Sequence, residues 1–195
     1  MSVGLLTLLL AFALTAVWIT LVYNRLYELR NAVRNAFARM DVHLKRRHDL
    51  VPELVEAVRA HRLHERQVID AVVAARQGAA SARASVATLG ADERAVARLD
   101  TAERSLSAGL ERLFALAESH PELRSDATVA QLDEHLAGTE QQIAAARGLY
   151  NESVTDYNLA VTRFPNSLVA IVFAFRRGAP LFDARRRIVR EAVAA

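Results

Sequence analysis

One carboxylate of this chain stands where a helix would be expected to carry an apolar residue. Residues spaced by three and four form a stripe typical of one helix face: Leu54, Val58, His61, Glu65, Val68 and Val72. A buried carboxylate needs a partner, or its pKa rises until the group is neutral. Glu65 could therefore serve either in proton transfer or in an ion pair that fixes helix packing.

The ion-pair interpretation of Glu65 is favoured, because no nucleophile, second carboxylate or oxyanion donor accompanies it. If the chain turns back near Asp49, Glu65 lies roughly opposite residues of the first helix. We therefore predict a polar network of Arg30, Asn31, Arg34 and Glu65. No catalytic residue is predicted, and the chain is not expected to be an enzyme.

The segment His61-x-x-His64-Glu65 places ligand-type side chains three and four residues apart on a helix. It differs from the His-Glu-x-x-His arrangement of zinc enzymes, and no third ligand is evident nearby. Phosphate-binding glycine loops, haem attachment motifs and calcium loops are not recognisable either. The sequence therefore predicts no metal site and no cofactor.

Two Tyr-Asn pairs lie one heptad apart, Tyr150-Asn151 and Tyr157-Asn158. Both tyrosines fall on an apolar stripe, and a buried tyrosine hydroxyl needs a hydrogen-bond partner. A packed tyrosine ladder is favoured over a ligand groove, which stays the alternative. A second possible polar layer on the same helix consists of Thr139, Glu140 and Arg147.

The elements that carry these residues all have helical periodicity, which predicts an all-α fold. The first helix should break at 48–52, because proline is poorly tolerated inside a helix. A second helix would start near Leu50, residues 78–91 would form a loop or frayed helix end, and later helices would cover about 92–119 and 129–164. Short connections predict an antiparallel up-down four-helix bundle. The expected domains are an anchor (1–23), the bundle (24–165) and a C-terminal segment (166–195).

The N-terminal region is almost purely apolar from Val3 to Tyr23, and Arg25 is the first charged residue. About 20 apolar residues suffice for a membrane-spanning helix. An excess of Arg and Lys follows the run at 25–47, which marks the cytoplasmic side. We therefore predict a single-pass protein of the inner (cell) membrane, with its N-terminus outside and its bundle in the cytoplasm. A cleaved signal peptide is the alternative, but the run lacks the basic n-region of such signals.

The C-terminal segment combines apolar and basic residues at the membrane-proximal end of the expected bundle. This composition is typical of an interfacial membrane contact, although eight apolar residues are too few to span a bilayer. A hydrophobic flap that caps the bundle core is an equally weighted alternative. The candidate contact residues are Leu168, Ile171, Phe173, Phe175, Arg176 and Arg177.

Composition narrows the range of partners. The 195 residues carry a net charge of +3 and no cysteine, so disulfides and thiolate sites are excluded. Because the basic excess lies beside the apolar run and near the C-terminus, it favours lipid over nucleic acid. The expected partners are the lipid bilayer and membrane proteins, and a homo-oligomer is possible.

Several motifs in this order and spacing resemble the LemA family over about residues 20–183. They are Tyr23-Asn24-x-Leu26-x-x-Leu29-Arg30-Asn31-x-Val33, Asp41-Val42-x-Leu44-Lys45-Arg46-Arg47-x-Asp49-Leu50-Val51-Pro52, Thr139-Glu140, Ile143-Ala144-x-Ala146-Arg147, Tyr150-Asn151-x-x-Val154-x-x-Tyr157-Asn158 and Phe164-Pro165-x-x-Leu168-Val169-Ala170. The resemblance implies a bacterial protein with one N-terminal span and a coiled-coil-like helical bundle. It supplies no reaction, so a scaffold or adaptor for membrane partners is the expected function. Membrane-surface binding or remodelling by residues 168–190 is the alternative, and an uncharacterised enzymatic activity is disfavoured.

Overall fold

The computed structural model describes residues 3–61 and 65–179, and every element in these ranges is helical. The predicted all-α class is therefore confirmed. Four helices are long: α1 (Val3–Ala60), α2 (Arg66–Leu89), α3 (Glu93–Ser119) and α5 (Ala127–Thr162). A single turn, α4 (Pro121–Arg124), precedes α5, and a short helix, α6 (Asn166–Val172), follows it.

Helix α1 runs unbroken through Pro52 for 58 residues, so the predicted break at 48–52 is wrong. Proline at position 52 has no N–H to donate to the carbonyl of His48, four residues earlier. The side chain of Arg76 on α2 supplies the missing donor, because its Nε lies 2.7 Å from the His48 carbonyl oxygen. A neighbouring helix thus compensates for the lost backbone bond, which sequence periodicity does not show.

Removing the donor at residue 76 should be costly only while residue 52 is proline. We expect Arg76→Met to lower the free energy of unfolding by about 1–3 kcal/mol, because the His48 carbonyl then lacks its observed donor. In a Pro52→Ala background the backbone N–H of residue 52 can donate to the His48 carbonyl in place of Arg76. The loss of stability caused by Arg76→Met should then be smaller. Thermal unfolding of the four chains of this cycle measures the coupling, with exposed Arg66→Met as the matched control. Equal losses in both backgrounds would contradict this compensation.

Helix α2 extends to Leu89, so the predicted loop at 78–91 is wrong as well. Its buried side includes Ala79, Ala82 and Val86. Small side chains let helices approach closely. They do not form the stripe of large apolar residues from which periodicity predicts a helix. The chain turns only at Gly90, whose φ of 74° suits glycine.

The starts of α3 and α5 follow ordinary capping rules. The carboxylate of Asp92 accepts from the backbone N–H groups of residues 94 and 95, and Asp126 does the same for residues 128 and 129. Helix α3 ends before Pro121, as predicted.

The long helices pack around two apolar cores. Helix α1 pairs mainly with α5, and α2 pairs mainly with α3. Residues 41 and 48 of α1 contact residues 83 and 76 of α2, and residues 37 and 47 of α1 contact residues 150 and 140 of α5. In both pairs the residue numbers rise along α1 as they fall along its partner. These neighbours therefore run antiparallel. We call the region built on these cores, α1 from Val22 onward with α2, α3 and α5, the bundle.

The apolar run of α1 lies outside both cores up to residue 17, and Trp18, Ile19 and Val22 then contact the first core. Among the described residues, α1 is the one helix long and apolar enough to cross a membrane; its best window has a mean hydropathy of 2.5 and no residue buried by the rest of the chain. The same helix then enters the bundle without a break at residue 23.

Candidate functional site: a buried ionic cluster and a membrane-proximal surface

A charged layer separates the two apolar cores. The first core ends on α1 and α3 at Leu44 and Leu99, and the second begins at Val51 and Leu106. The polar or charged residues buried between them are Arg47, His48, Glu103 and Thr139. Ions in such surroundings persist only when paired and hydrogen-bonded.

Glu103 on α3 is the centre of this ionic cluster. Its side chain is 1% exposed, and its two oxygens contact different residues of α1. One oxygen lies 2.8 Å from His48 Nε2, and the other lies 3.3 Å from Arg47 Nη1. Because a carboxylate only accepts, Nε2 carries the proton in the His48 contact.

Arg47 links α1 to two further groups. Its Nη2 donates to Ser107 Oγ at 2.7 Å, and its Nη1 lies 3.0 Å from Glu140 Oε2 on α5. Glu140 is 45% exposed at its side chain, so the cluster reaches the surface on this side. Thr139 is buried next to it, and its hydroxyl donates to the His135 carbonyl.

Arg147, the third member of the predicted α5 layer, interacts electrostatically with the charged groups of the cluster. Burial lowers the pKa of its guanidinium, and the nearby carboxylates of Glu140 and Glu103 oppose that shift. An arginine stays protonated at neutral pH in spite of such a shift. The two acids and two arginines thus balance one another across α1, α3 and α5.

The ionic cluster ties three helices together. Its hydrogen bonds and ion pairs join protein groups to each other, and neither of two shallow surface depressions in the described residues is lined by Glu103, Arg47 or His48. Alternating ionic and apolar layers penalise any sliding of one helix along another, because a shift of register would leave ions in an apolar core. We therefore expect the ionic cluster to fix the register of α1, α3 and α5.

The predicted network around Glu65 does not form. Glu65 precedes α2 and is exposed, while Arg30 lies on α1 close enough to Tyr157 to act on its pKa. Because α1 continues from Arg30 to Ala60, the two groups are about 45 Å apart along the helix. Asn31 is half-buried and Arg34 is exposed on the same distant part of α1. The error follows directly from the break that was expected at 48–52.

His61 contacts Asp126, the capping residue of α5, with 2.8 Å between Nε2 and Oδ2. This hydrogen bond is the main cause that lowers the pKa of Asp126, and the backbone N–H groups of Thr128 and Val129 add to it. Within residues 3–61 and 65–179, no group of three metal-ligating side chains occurs. His64 lies outside the described residues.

The two tyrosines of α5 are both buried, and the C-terminal segment binds beside them. Tyr150 packs edge-on against Phe37 and donates its hydroxyl to the Ala179 carbonyl at 2.9 Å. Asn158 makes a reciprocal pair with the backbone of Gly178, with both N···O distances at 2.9 Å. The Tyr-Asn motifs thus hold the returning backbone of residues 178–179.

The returning segment lies at the bundle end that adjoins the apolar run of α1. The ring of Tyr23 lies 5.0 Å from that of Phe173 and 5.5 Å from that of Phe175. Ala179 also bonds through its N–H to the Ala91 carbonyl in the turn between α2 and α3. Residues 181–195, including Phe182 and the basic run 185–187, lie outside the described residues.

The candidate membrane-contact residues divide into two groups in the structure. Phe175 is buried and caps the first core, together with Val169 and Ala170. The others are exposed, namely Leu168, Ile171, Phe173, Arg176 and Arg177. We call the exposed side of residues 164–177 the membrane-proximal surface.

Sequence reasoning named the α5 side of the ionic cluster as a possible polar layer (Thr139, Glu140 and Arg147) but missed its centre, Glu103, although a usable signal was present. Glu103 lies four residues after Leu99 and three before Leu106, so it is a carboxylate within the α3 stripe. The argument applied to Glu65 holds for Glu103 instead. Arg47 gave no comparable signal, because it stands among other basic residues.

Similarity to known proteins identifies the family of this chain. The model of the LemA family matches residues 36–194. Over 68 residues the chain is 34% identical to the magnetosome protein MamQ of Magnetospirillum gryphiswaldense, and 32% identical to the magnetosome proteins MamQ 1 and MamQ 2 of Paramagnetospirillum magneticum. Each match covers 35% of this chain and only 25% of the relative's length. The long apolar N-terminal helix is that of a membrane-associated protein. Because the family match covers most of its length, the chain belongs to the LemA family.

Proposed function

We propose that this protein is a non-enzymatic scaffold or adaptor that presents a helical surface to other membrane proteins. The observation that carries the proposal is the continuity of α1, which enters the bundle directly from its apolar run. A partner bound to the bundle would be held at a defined height and rotation relative to the bilayer. The internal pairing of the ionic cluster, which ties three helices together, also favours a stable surface over a reactive site.

The surface best suited to a partner is a shallow groove between α1 and α5. Its floor consists of small residues such as Ala36 and Ala146, and Arg39 and Glu152 bring opposite charges to it. Leu149, which is 53% exposed, adds an apolar contact. This mixture of an apolar centre and a charged rim suits the helical cytoplasmic part of a membrane protein.

The basic residues that follow the span support a cytoplasmic bundle. Arg25, Arg30, Arg34 and Arg39 are all exposed on α1. Lys and Arg close to a span favour the inner side of the membrane. The proposed location is therefore the inner membrane, with the N-terminus outside.

Labelling of an introduced cysteine tests this orientation. The chain has no cysteine of its own, and Ser81 is exposed on α2. In intact cells, Ser81→Cys should react with a membrane-impermeant maleimide only after lysis. Rapid labelling before lysis would place the bundle on the outer side and contradict the proposal.

Photo-crosslinking in cells tests the scaffold role. With benzoylphenylalanine at position 149 of the full chain, we expect a small set of adducts that contain membrane proteins. The matched control carries the same group at Arg98, an exposed position on α3. Equal adducts at both positions would indicate random collisions, and adducts only with a second copy would indicate self-association. Either result would overturn the adaptor proposal.

A further inference from the structure

Helix α6 has apolar side chains on opposite sides, which is unusual for a short helix at the edge of a bundle. Val169 and Ala170 are buried in the first core. On the outer side, Leu168, Ile171 and Val172 share one face at intervals of three and four, with exposures of 54%, 78% and 77%. A helix that is apolar all round belongs in a protein core or in a membrane.

The position of α6 identifies what covers its outer face. The helix packs against α1, and Phe173, the residue after it, contacts Tyr23. Tyr23 closes the apolar run, and Trp18 and Ile19 of that run pack partly against the same core. An aromatic residue at the end of a span marks the level of the bilayer interface. The exposed face of α6 is therefore continuous with the surface that the span presents to lipid.

Charge agrees with this assignment. Arg163 precedes the segment, Arg176 and Arg177 follow α6, and all three are exposed. Basic groups beside apolar ones suit the headgroup region of an anionic bilayer, where phosphates lie next to acyl chains. A second copy of the chain would explain the apolar face but not its alignment with the end of the span.

We infer that the membrane-proximal surface is a second membrane contact, in which α6 lies in the bilayer interface beside the span and Arg176 and Arg177 bind lipid phosphates. The bundle is then attached to the bilayer along two lines, α1 and α6. This attachment does not depend on the scaffold role, since it concerns lipid and not a protein partner.

Spin labels on the full chain in vesicles test the contact. The chain has no cysteine, so Val172→Cys gives a single labelling site on the outer face of α6. The control is Val42→Cys, because Val42 is also a valine, is 64% exposed and lies about 30 Å further along α1 than Tyr23. In vesicles of phosphatidylglycerol and phosphatidylcholine, the label at 172 should be shielded from an aqueous nickel chelate, accessible to oxygen and about 5–10 Å below the phosphates. The label at 42 should report water.

Each other outcome overturns the inference. Equal access of the nickel chelate to both positions would show that α6 stays in water. Shielding at 172 from both reagents, with dipolar broadening between labels, would show that a second copy covers the face.

Adding Ile171→Asp should move the label at 172 into water, and an unchanged depth would contradict the role of this face. Arg176→Gln with Arg177→Gln should reduce the depth in vesicles with phosphatidylglycerol and change little in phosphatidylcholine alone.

Discussion

Replacing Glu103 by methionine is expected to lower the free energy of unfolding by about 3–5 kcal/mol. The substitution keeps the approximate volume but leaves His48 without the carboxylate that it contacts at 2.8 Å. Arg47 keeps only its contacts to Ser107 and the partly exposed Glu140. For a chain of this size the melting temperature should fall by roughly 6–20 °C, which thermal unfolding followed by circular dichroism in detergent micelles would measure.

Two comparisons separate the loss of pairing from a general effect of mutation. Glu111→Met, at an exposed position of the same helix, should change stability by no more than about 0.5 kcal/mol. Replacing the three most buried members of the cluster by apolar residues (Arg47→Met, His48→Leu and Glu103→Met) should recover much of the loss, because Arg47 and His48 are no longer left buried without the Glu103 carboxylate. If Glu103→Met alone were as stable as the parent chain, the pairing of Glu103 would contribute nothing measurable to the free energy of unfolding.

The same triple variant tests whether the ionic layer sets helix register. Distances between spin labels at Val42 on α1 and Arg98 on α3 should form one narrow distribution in the parent chain. In the triple variant the barrier against sliding is removed, so the distribution should broaden or split. An equally narrow distribution would assign register to the apolar residues alone.

Replacing Tyr150 by alanine is the second large effect, with an expected loss of about 3–5 kcal/mol. Tyr150 is fully buried, packs on Phe37 and anchors the Ala179 carbonyl. Tyr150→Phe keeps the ring and removes one hydrogen bond, so it should cost only about 1 kcal/mol. Tyr27→Phe, at a half-exposed position of α1, is the control and should be close to neutral.

Alkaline pH should further distinguish the Tyr150→Phe variant from the parent chain. Burial raises the pKa of Tyr150 well above that of an exposed tyrosine, so its phenol stays neutral in the folded chain when the unfolded chain has begun to ionise. Stability from this group is fully present below the ordinary pKa of about 10 and is lost as pH rises beyond it. Tyr150→Phe should therefore lose stability less steeply above pH 10. Some slope should remain, because burial also raises the pKa of Tyr157. Identical slopes would contradict the burial of the phenol.

The parts of the fold that sequence predicted are those set by local rules. The predicted helix at about 92–119 agrees with α3, which the His120-Pro121 stop ends and which the structure shows capped by Asp92, and both devices act within a few residues. The predicted α5 stripe is regular and buried from Val129 to Val161, but its last predicted member, Phe164, lies beyond the end of α5 and is exposed. Local propensity and periodicity suffice wherever no distant residue intervenes.

The errors all involve distant partners. Proline at 52 ends a helix by local rules, but Arg76 supplies the donor from another helix. The Ala-rich part of α2 lacks large apolar residues, but its small faces pack closely, with Ala79 fully buried. A reversal predicted at 48–52, instead of after the end of α1 at Ala60, pairs Glu65 with the wrong end of α1. The carboxylate that is truly buried, Glu103, depends on contacts with α1 that lie 55 and 56 residues away in sequence.

Because α1 is continuous, any movement of its apolar run is transmitted to the bundle. From Val22 to Ala60 the helix reaches about 57 Å beyond the apolar run. A tilt of the span by about 10°, which a few ångströms of change in bilayer thickness can produce, would displace the far end of the bundle by roughly 10 Å. Rotation of the span would turn every bundle face by the same angle, since no hinge separates them. If α1 spans the bilayer, a change in local membrane thickness would thereby move the bundle tip, where α4 and the start of α5 lie, sideways.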